Sequence, residues 1–123
     1  MHEKDPFSEF REFINTMESR VQELGKAYGV EHLAGPQGFA VRYLFENQDK
    51  EIFIKDIEKR LSISKSVASN LVKRMEKNGF VELVTSDKDK RYKYVRLTDL
   101  GEKKAQDVGY FREAIHEQLL DGI

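Results

Sequence analysis

Cysteine is absent from this 123-residue chain, which excludes disulfides, thiolate metal sites and any thiol redox switch within it. No apolar run approaches the ~20 residues needed to span a bilayer. The opening MHEKDPF lacks an apolar h-region, so no secretory signal is expected and a cytoplasmic address is the expectation. There are only three histidines: His2, His32 and His116 lie far apart in sequence and form no ligand-spacing motif, so no metal site is expected. Also missing are a nucleophile elbow, a Gly-rich phosphate loop after a strand and a cysteine nucleophile. Asp87 and Asp89 sit in a highly charged segment without apolar shielding, a poor setting for an acid/base pair. Neither an enzyme activity nor a cofactor is expected, and no internal repeat or low-complexity tract appears.

Charge is abundant, and its placement is uneven. Residues 1–53 carry 6 basic against 10 acidic side chains, a net −4. Residues 54–98 carry 12 against 6, a net +6, and residues 99–123 carry 3 against 6, a net −3. A total near −1 therefore hides a basic central segment between acidic arms, the electrostatic footprint of a nucleic-acid binder.

That central segment begins with two short helical patterns. Ile54, Ile57 and Leu61 share one face of the first. Ser62-Ile63-Ser64 forms the turn, with Ser64 placed as N-cap of the second helix. There Val67, Leu71 and Met75, widened by Val72, are expected to be buried, and Gly79 after Asn78 to end the helix. The opposite face carries Lys65, Ser66, Ser69, Asn70, Lys73, Arg74 and Lys77. Alone, this pattern also describes an ordinary solvated surface helix. The sequel favours a reading helix: 80–85 and 92–97 alternate as strands around the charged turn 86–91, with 51–53 as a possible third strand. Helix, turn, helix and basic hairpin outline a winged helix-turn-helix.

Long helices are expected on both sides. Asp5-Pro6 opens the first, in which Phe7, Phe10, Ile14, Met17, Val21, Leu24 and Tyr28 follow an a/d heptad, with Phe13 widening the stripe. Gly25 weakens its last turn and Gly29 ends it. Pro36 opens a second helix whose apolar face is Phe39, Tyr43 and Leu44, with Val41 and Phe45 adding to it. Thr98 caps the last helix, where Asp99 and Glu102 suit the positive end of its dipole and Ala105, Val108, Phe111, Ile115 and Leu119 recur at helical spacing. Gly109 is a soft point there, and Gly122 suggests fraying. The first and last helices are expected to build a homodimer, through Phe7, Phe10, Ile14, Met17, Val21, Leu24, Phe111, Ile115 and Leu119. The fold class is mainly α with a small β-wing: a winged helix-turn-helix over 35–97, between dimerisation helices in 1–34 and 98–123.

The run SKSVASNLVKRMEKNGFVE, the Asp89-Lys90-Arg91 wing, Leu97-Thr98-x-x-Gly101 and Gly35-Pro36-Gln37 together resemble the MarR family of bacterial transcription regulators, over roughly Pro36 to Val108. The resemblance implies a homodimeric, sequence-specific binder of double-stranded DNA, in which Asp89 orients the wing arginine. It also implies a small aromatic or anionic effector held between the dimer helices and the reading domain. Lys65, Ser66, Ser69 and Asn70 are the candidates for base edges and Lys73 and Arg74 for phosphates. Arg91 is the candidate for the minor groove, with Lys88 and Lys90 near the backbone. The resemblance implies a further C-terminal helix that is not expected within residues 98–123, whether the sequence is a shortened one or the dimer relies on two helices per subunit, and Leu83-Val84 stand where basic residues often lead into the wing. The competing reading, a winged helix that recognises protein, requires an exposed apolar patch on the reading helix.

Overall fold

The computed structural model describes residues 5–31, 33 and 35–120; the expectations at His2, His32 and Gly122 lie outside them. The elements run α1 (Pro6–Ala27), α2 (Pro36–Glu46), α3 (Ile54–Leu61), α4 (Lys65–Lys77), β1 (Val81–Thr85), β2 (Lys93–Leu97) and α5 (Asp99–Ile115), the last continuing into a π-turn over His116–Leu120. The mainly α fold with a small antiparallel wing is as expected.

Local chemistry sets the element ends. The Asp5 carboxylate accepts from Phe7 N at 3.0 Å at the start of α1, where Pro6 has no N–H to lose. Ser64 caps α4 by accepting from Val67 N at 3.2 Å, and Thr98 caps α5 by accepting from Gly101 N at 3.1 Å. Past the end of α4, Gly79 takes φ +81°, the left-handed conformation a side chain would resist. Ser62, closing α3, adopts φ 56° despite its β-carbon, so the helix-turn-helix corner holds mild strain.

The core lies between the α2/α5 pair and the α3/α4 unit with the wing. Val41, Leu44, Ile57, Leu71, Val72, Met75, Val95, Ala105, Val108 and Phe111 are all buried in it. Val30 and Leu33, from the connector after α1, belong to it as well. Two close approaches let the layers meet. A β-carbon on Gly38 would overlap the Leu33 carbonyl, and one on Gly101 would overlap the Phe80 carbonyl. The Leu97-Thr98-x-x-Gly101 pattern thereby acquires a cause: Thr98 both caps α5 and donates to the Gly79 carbonyl, while Gly101 lets the helix start settle on Phe80.

Several expectations need correction. Val67 is not in the core but 48% exposed; the buried stripe of α4 is Ala68, Leu71, Val72 and Met75. The cap at Ser64 sets a helix phase in which small Ala68, not Val67, meets the core. On α2 the inward residues are Gly38, Ala40, Val41 and Leu44, whose small members permit close packing, and Phe39 turns outward. The expected third strand is a single bridge, Ile52 to Val95, because the chain enters α3 two residues later. At Gly109 the Arg42 guanidinium lies close against the helix and donates from Nη1 to the Ala105 carbonyl at 3.2 Å, a contact the sequence reading did not anticipate. Phe111, expected in a dimer interface, is buried in the protomer's own core.

Candidate nucleic-acid interface

Helix α4 presents two chemically distinct sides. At 100° per residue, Ser66, Asn70, Lys73 and Lys77 lie directly opposite the buried stripe. Lys65 and Ser69 form one shoulder, and Ser69 is only half-exposed. Val67 and Arg74 form the other, and with Asn70 and Lys73 they line a shallow concavity. The Ser66 hydroxyl lies 3.3 Å from that of Ser64, so the helix start is a small hydroxyl cluster. Donors, acceptors and cations therefore gather on one face, and the lone apolar group among them is Val67.

The wing is more tightly organised than its composition suggests. β1 and β2 pair in antiparallel register from Val81–Leu97 to Thr85–Lys93. Across this hairpin Arg96 and Glu82 pair at 2.6 Å, and Glu82 holds the Arg96 guanidinium above its ordinary value. At the tip Asp89 grips Arg91 three times. Its Oδ1 accepts from the Arg91 backbone N at 3.1 Å and from Nε at 3.0 Å, and its Oδ2 accepts from Nη2 at 2.7 Å. The side-chain bonds to Arg91, then the backbone one, hold the Asp89 carboxyl below its usual value, and Asp89 in turn raises Arg91. Arg91 remains 80% exposed at the side chain, so the chelate orients the guanidinium without burying it. Asp89 and Arg91 are thus brought together as expected, while Lys88 and Lys90 stand exposed beside them.

Sequence reasoning missed what anchors this tip. Ser86 is 1% exposed, the one buried polar side chain among the described residues. Its Oγ donates to Glu51 Oε1 at 2.8 Å and accepts from the backbone N of Lys88 at 3.2 Å and of Asp89 at 3.3 Å. A serine accepting from residues two and three further on is a known turn device, and that local spacing was the available signal. Glu51, 35 positions upstream, carried none. The second tie is Phe53 against Tyr92, edge to face at 6.4 Å, with Arg91 over the Tyr92 ring at 5.5 Å.

Two clefts flank the reading domain. One, roughly 370 Å³, lies between α2, the end of α3 and α5, and gathers Arg42, Arg60 and Arg112 around Phe39, Tyr43 and Leu61. The other, roughly 380 Å³, is lined by Val21, Leu33, Phe39, Val108, Phe111 and Ile115, with Arg112 and His116 at hand. Gly35, Phe39 and Arg112 belong to both, and Arg112 rests over the Phe39 ring at 4.8 Å. Along α1, Phe7 and Phe10 are 79% and 64% exposed, Phe13 and Ile14 are also exposed, and Met17, Val21 and Leu24 are half-buried. No described helix is long and apolar enough to cross a membrane.

Comparison with known proteins agrees with this geometry. A MarR family profile matches residues 35–91. The chain is similar to the heme sensor protein PefR of Streptococcus agalactiae, in its heme complex, at 50% identity and TM-score 0.88, over 98% of this chain and 82% of that one. It is similar to the transcription regulator MarR of Oenococcus oeni PSU-1 at 28% identity and TM-score 0.68, over 97% and 87% of the two chains. An HTH-type transcriptional regulator of Bacillus subtilis strain 168, YwhA, is 26% identical over 102 residues, 83% of this chain and 69% of that protein. Two of these relatives carry the name of transcription regulators, and the chain belongs to the MarR family of winged helix-turn-helix transcriptional regulators.

Proposed function

We propose that the chain is a ligand-responsive repressor that binds a pseudo-palindromic operator as a homodimer, in the cytoplasm. In this reading α4 lies in the major groove, with Lys65, Ser66, Ser69 and Asn70 toward base edges and Lys73 and Arg74 on phosphates. The wing tip reaches the adjacent minor groove with Arg91, while Lys88 and Lys90 approach the backbone. One observation carries the reading: the Arg91 guanidinium is held by two bonds to Asp89 and rests over the Tyr92 ring, yet the side chain stays 80% exposed to solvent. A guanidinium held out in this way is suited to a narrow minor groove, where the negative potential is enhanced. The dimer rests on the apolar face of α1, through Phe7, Phe10, Ile14, Met17, Val21 and Leu24, with Ile115 and Leu119 beside it. Recognition of protein instead of DNA is disfavoured, because the outward face of α4 has one valine and no apolar patch.

The effector we propose is heme, which is both aromatic and anionic. PefR is described as a heme sensor, and the donor chemistry here fits the same group. When bound, heme supplies an iron that takes an imidazole ligand and two propionates that pair with cations. His116 would hold the iron, Phe39, Val108 and Phe111 would wall the ring, and Arg112 and Arg42 would meet the carboxylates. DNA footprinting with and without heme tests the proposal. The expected result is protection of two half-sites one helical turn apart, ~34–36 Å. Heme should weaken that protection in the wild type but not in His116→Ala. Protection of a single asymmetric half-site, or an unchanged footprint on adding heme to the wild type, contradicts it.

A further inference from the structure

Val67 stands 48% exposed in the concavity it shares with Asn70, Lys73 and Arg74. We infer that Val67 reads thymine, its isopropyl group seated against the C5 methyl in the major groove, one or two base pairs from the base that Asn70 addresses. The inference rests on the DNA-binding reading above and adds a specificity determinant to it.

Three observations converge. First, the core makes no use of this valine, since small Ala68 takes the inward position beside it. Second, it is the sole exposed apolar residue on α4 and is enclosed by an amide and two cations, so it belongs to no surface that would dock an apolar partner. Third, the thymine methyl is the apolar group that base pairs present in the major groove, and Val67 lies in the N-terminal turn of the helix, the part that reaches base edges. The spacing then limits where the thymine lies. Residues at i and i+3 have β-carbons ~5–6 Å apart, and successive bases of a strand rise ~3.4 Å. Val67 and Asn70 therefore address positions one or two steps apart. Asn70 matches adenine, so each half-site should hold an A·T pair near the thymine that Val67 touches. Lys73 and Arg74, one turn further on, are placed to fix that register on the phosphates.

The test begins with a duplex selected by the wild-type protein from a random pool. Each thymine of that duplex is then replaced in turn by deoxyuridine, which removes only the C5 methyl. Val67→Ala sits on an exposed helical surface where alanine is the better helix former, so the fold should survive. Wild type should lose about three- to fivefold affinity for one deoxyuridine position per half-site, the worth of about one buried methyl. Val67→Ala should bind the thymine and uracil forms of that position equally, while Asn70→Ala should remain sensitive to the change. If no replacement weakens wild type, or if the same replacement weakens Val67→Ala as much, the assignment is overturned. Failure to enrich any duplex would instead overturn the DNA-binding reading on which it rests.

Discussion

Ser86→Ala tests whether the wing is anchored as described. The substitution deletes one hydrogen bond to a carboxylate and two from backbone amides at a site that is 1% exposed. A bond to a charged group contributes ~1.5–3 kcal/mol and a neutral one ~0.5–1.5. The two amide bonds are long, at 3.2 and 3.3 Å, and Glu51 is half-buried, so water recovers part of the loss. The net cost should be about 2 kcal/mol. With an unfolding entropy of ~2.1 cal/mol/K per residue, that lowers the melting temperature by about 8 °C for a chain of this length. Calorimetry measures the shift, and hydrogen exchange at the Lys88 and Asp89 amides shows whether the wing opens first. Glu51→Gln keeps an acceptor but removes its charge, and should cost about half as much. Combined with Ser86→Ala it should add little, because the two groups share one bond. A melting temperature within about 1 °C of wild type, with unchanged exchange at both amides, would refute the anchoring.

Three other expectations follow from the geometry. Gly101→Ala forces a β-carbon into the Phe80 carbonyl and should cost ~1–3 kcal/mol in urea denaturation, whereas Gly109→Ala, which meets only the movable end of Arg42, should cost less. The lowered Asp89 carboxyl favours the chelated wing above its ordinary value of 3.8 and loses that effect as pH falls through the lowered one. Nuclear magnetic resonance signals of the Arg91 guanidinium should therefore stay flat from about pH 8 to 5 and move only below about 4. Phe10→Glu with Ile14→Glu changes exposed positions only and should yield folded monomers in sedimentation; a surviving dimer would place the interface elsewhere.

The sequence revealed most where one local rule dominated. Asp5-Pro6, Ser64, Thr98 and Gly79 each mark an element end through a side chain and a backbone group a few residues apart, and all four act as read. Periodicity located the helices and took Leu71, Val72 and Met75 of α4 and Val41 and Leu44 of α2 inward correctly, but it also took Val67 and Phe39 inward. It weighs hydrophobicity and not the space available, and here Ala68, Gly38 and Ala40 occupy the tight inward positions. The Asp89–Arg91 pair was implied by the family resemblance. The Ser86–Glu51 bond and the placing of Arg42 over Gly109 span 35 and 67 positions, a range at which no local pattern speaks. Phe111 shows a related ambiguity: helical spacing marks a residue as buried without saying whether its own chain or a partner covers it.

The central claim is that α4 reads sequence and the wing holds the groove. Titration of the selected operator and a scrambled duplex with wild type, Asn70→Ala, Lys73→Ala and Arg91→Ala, across a range of salt, tests it most directly. Asn70→Ala should lose about 1–3 kcal/mol on the operator and little on scrambled DNA. Lys73→Ala should weaken both duplexes and lower the salt slope by about one unit. Arg91→Ala should lose about tenfold or more on the operator. Operator affinity that stays at the wild-type level in all three variants, with their melting curves intact, would contradict the account.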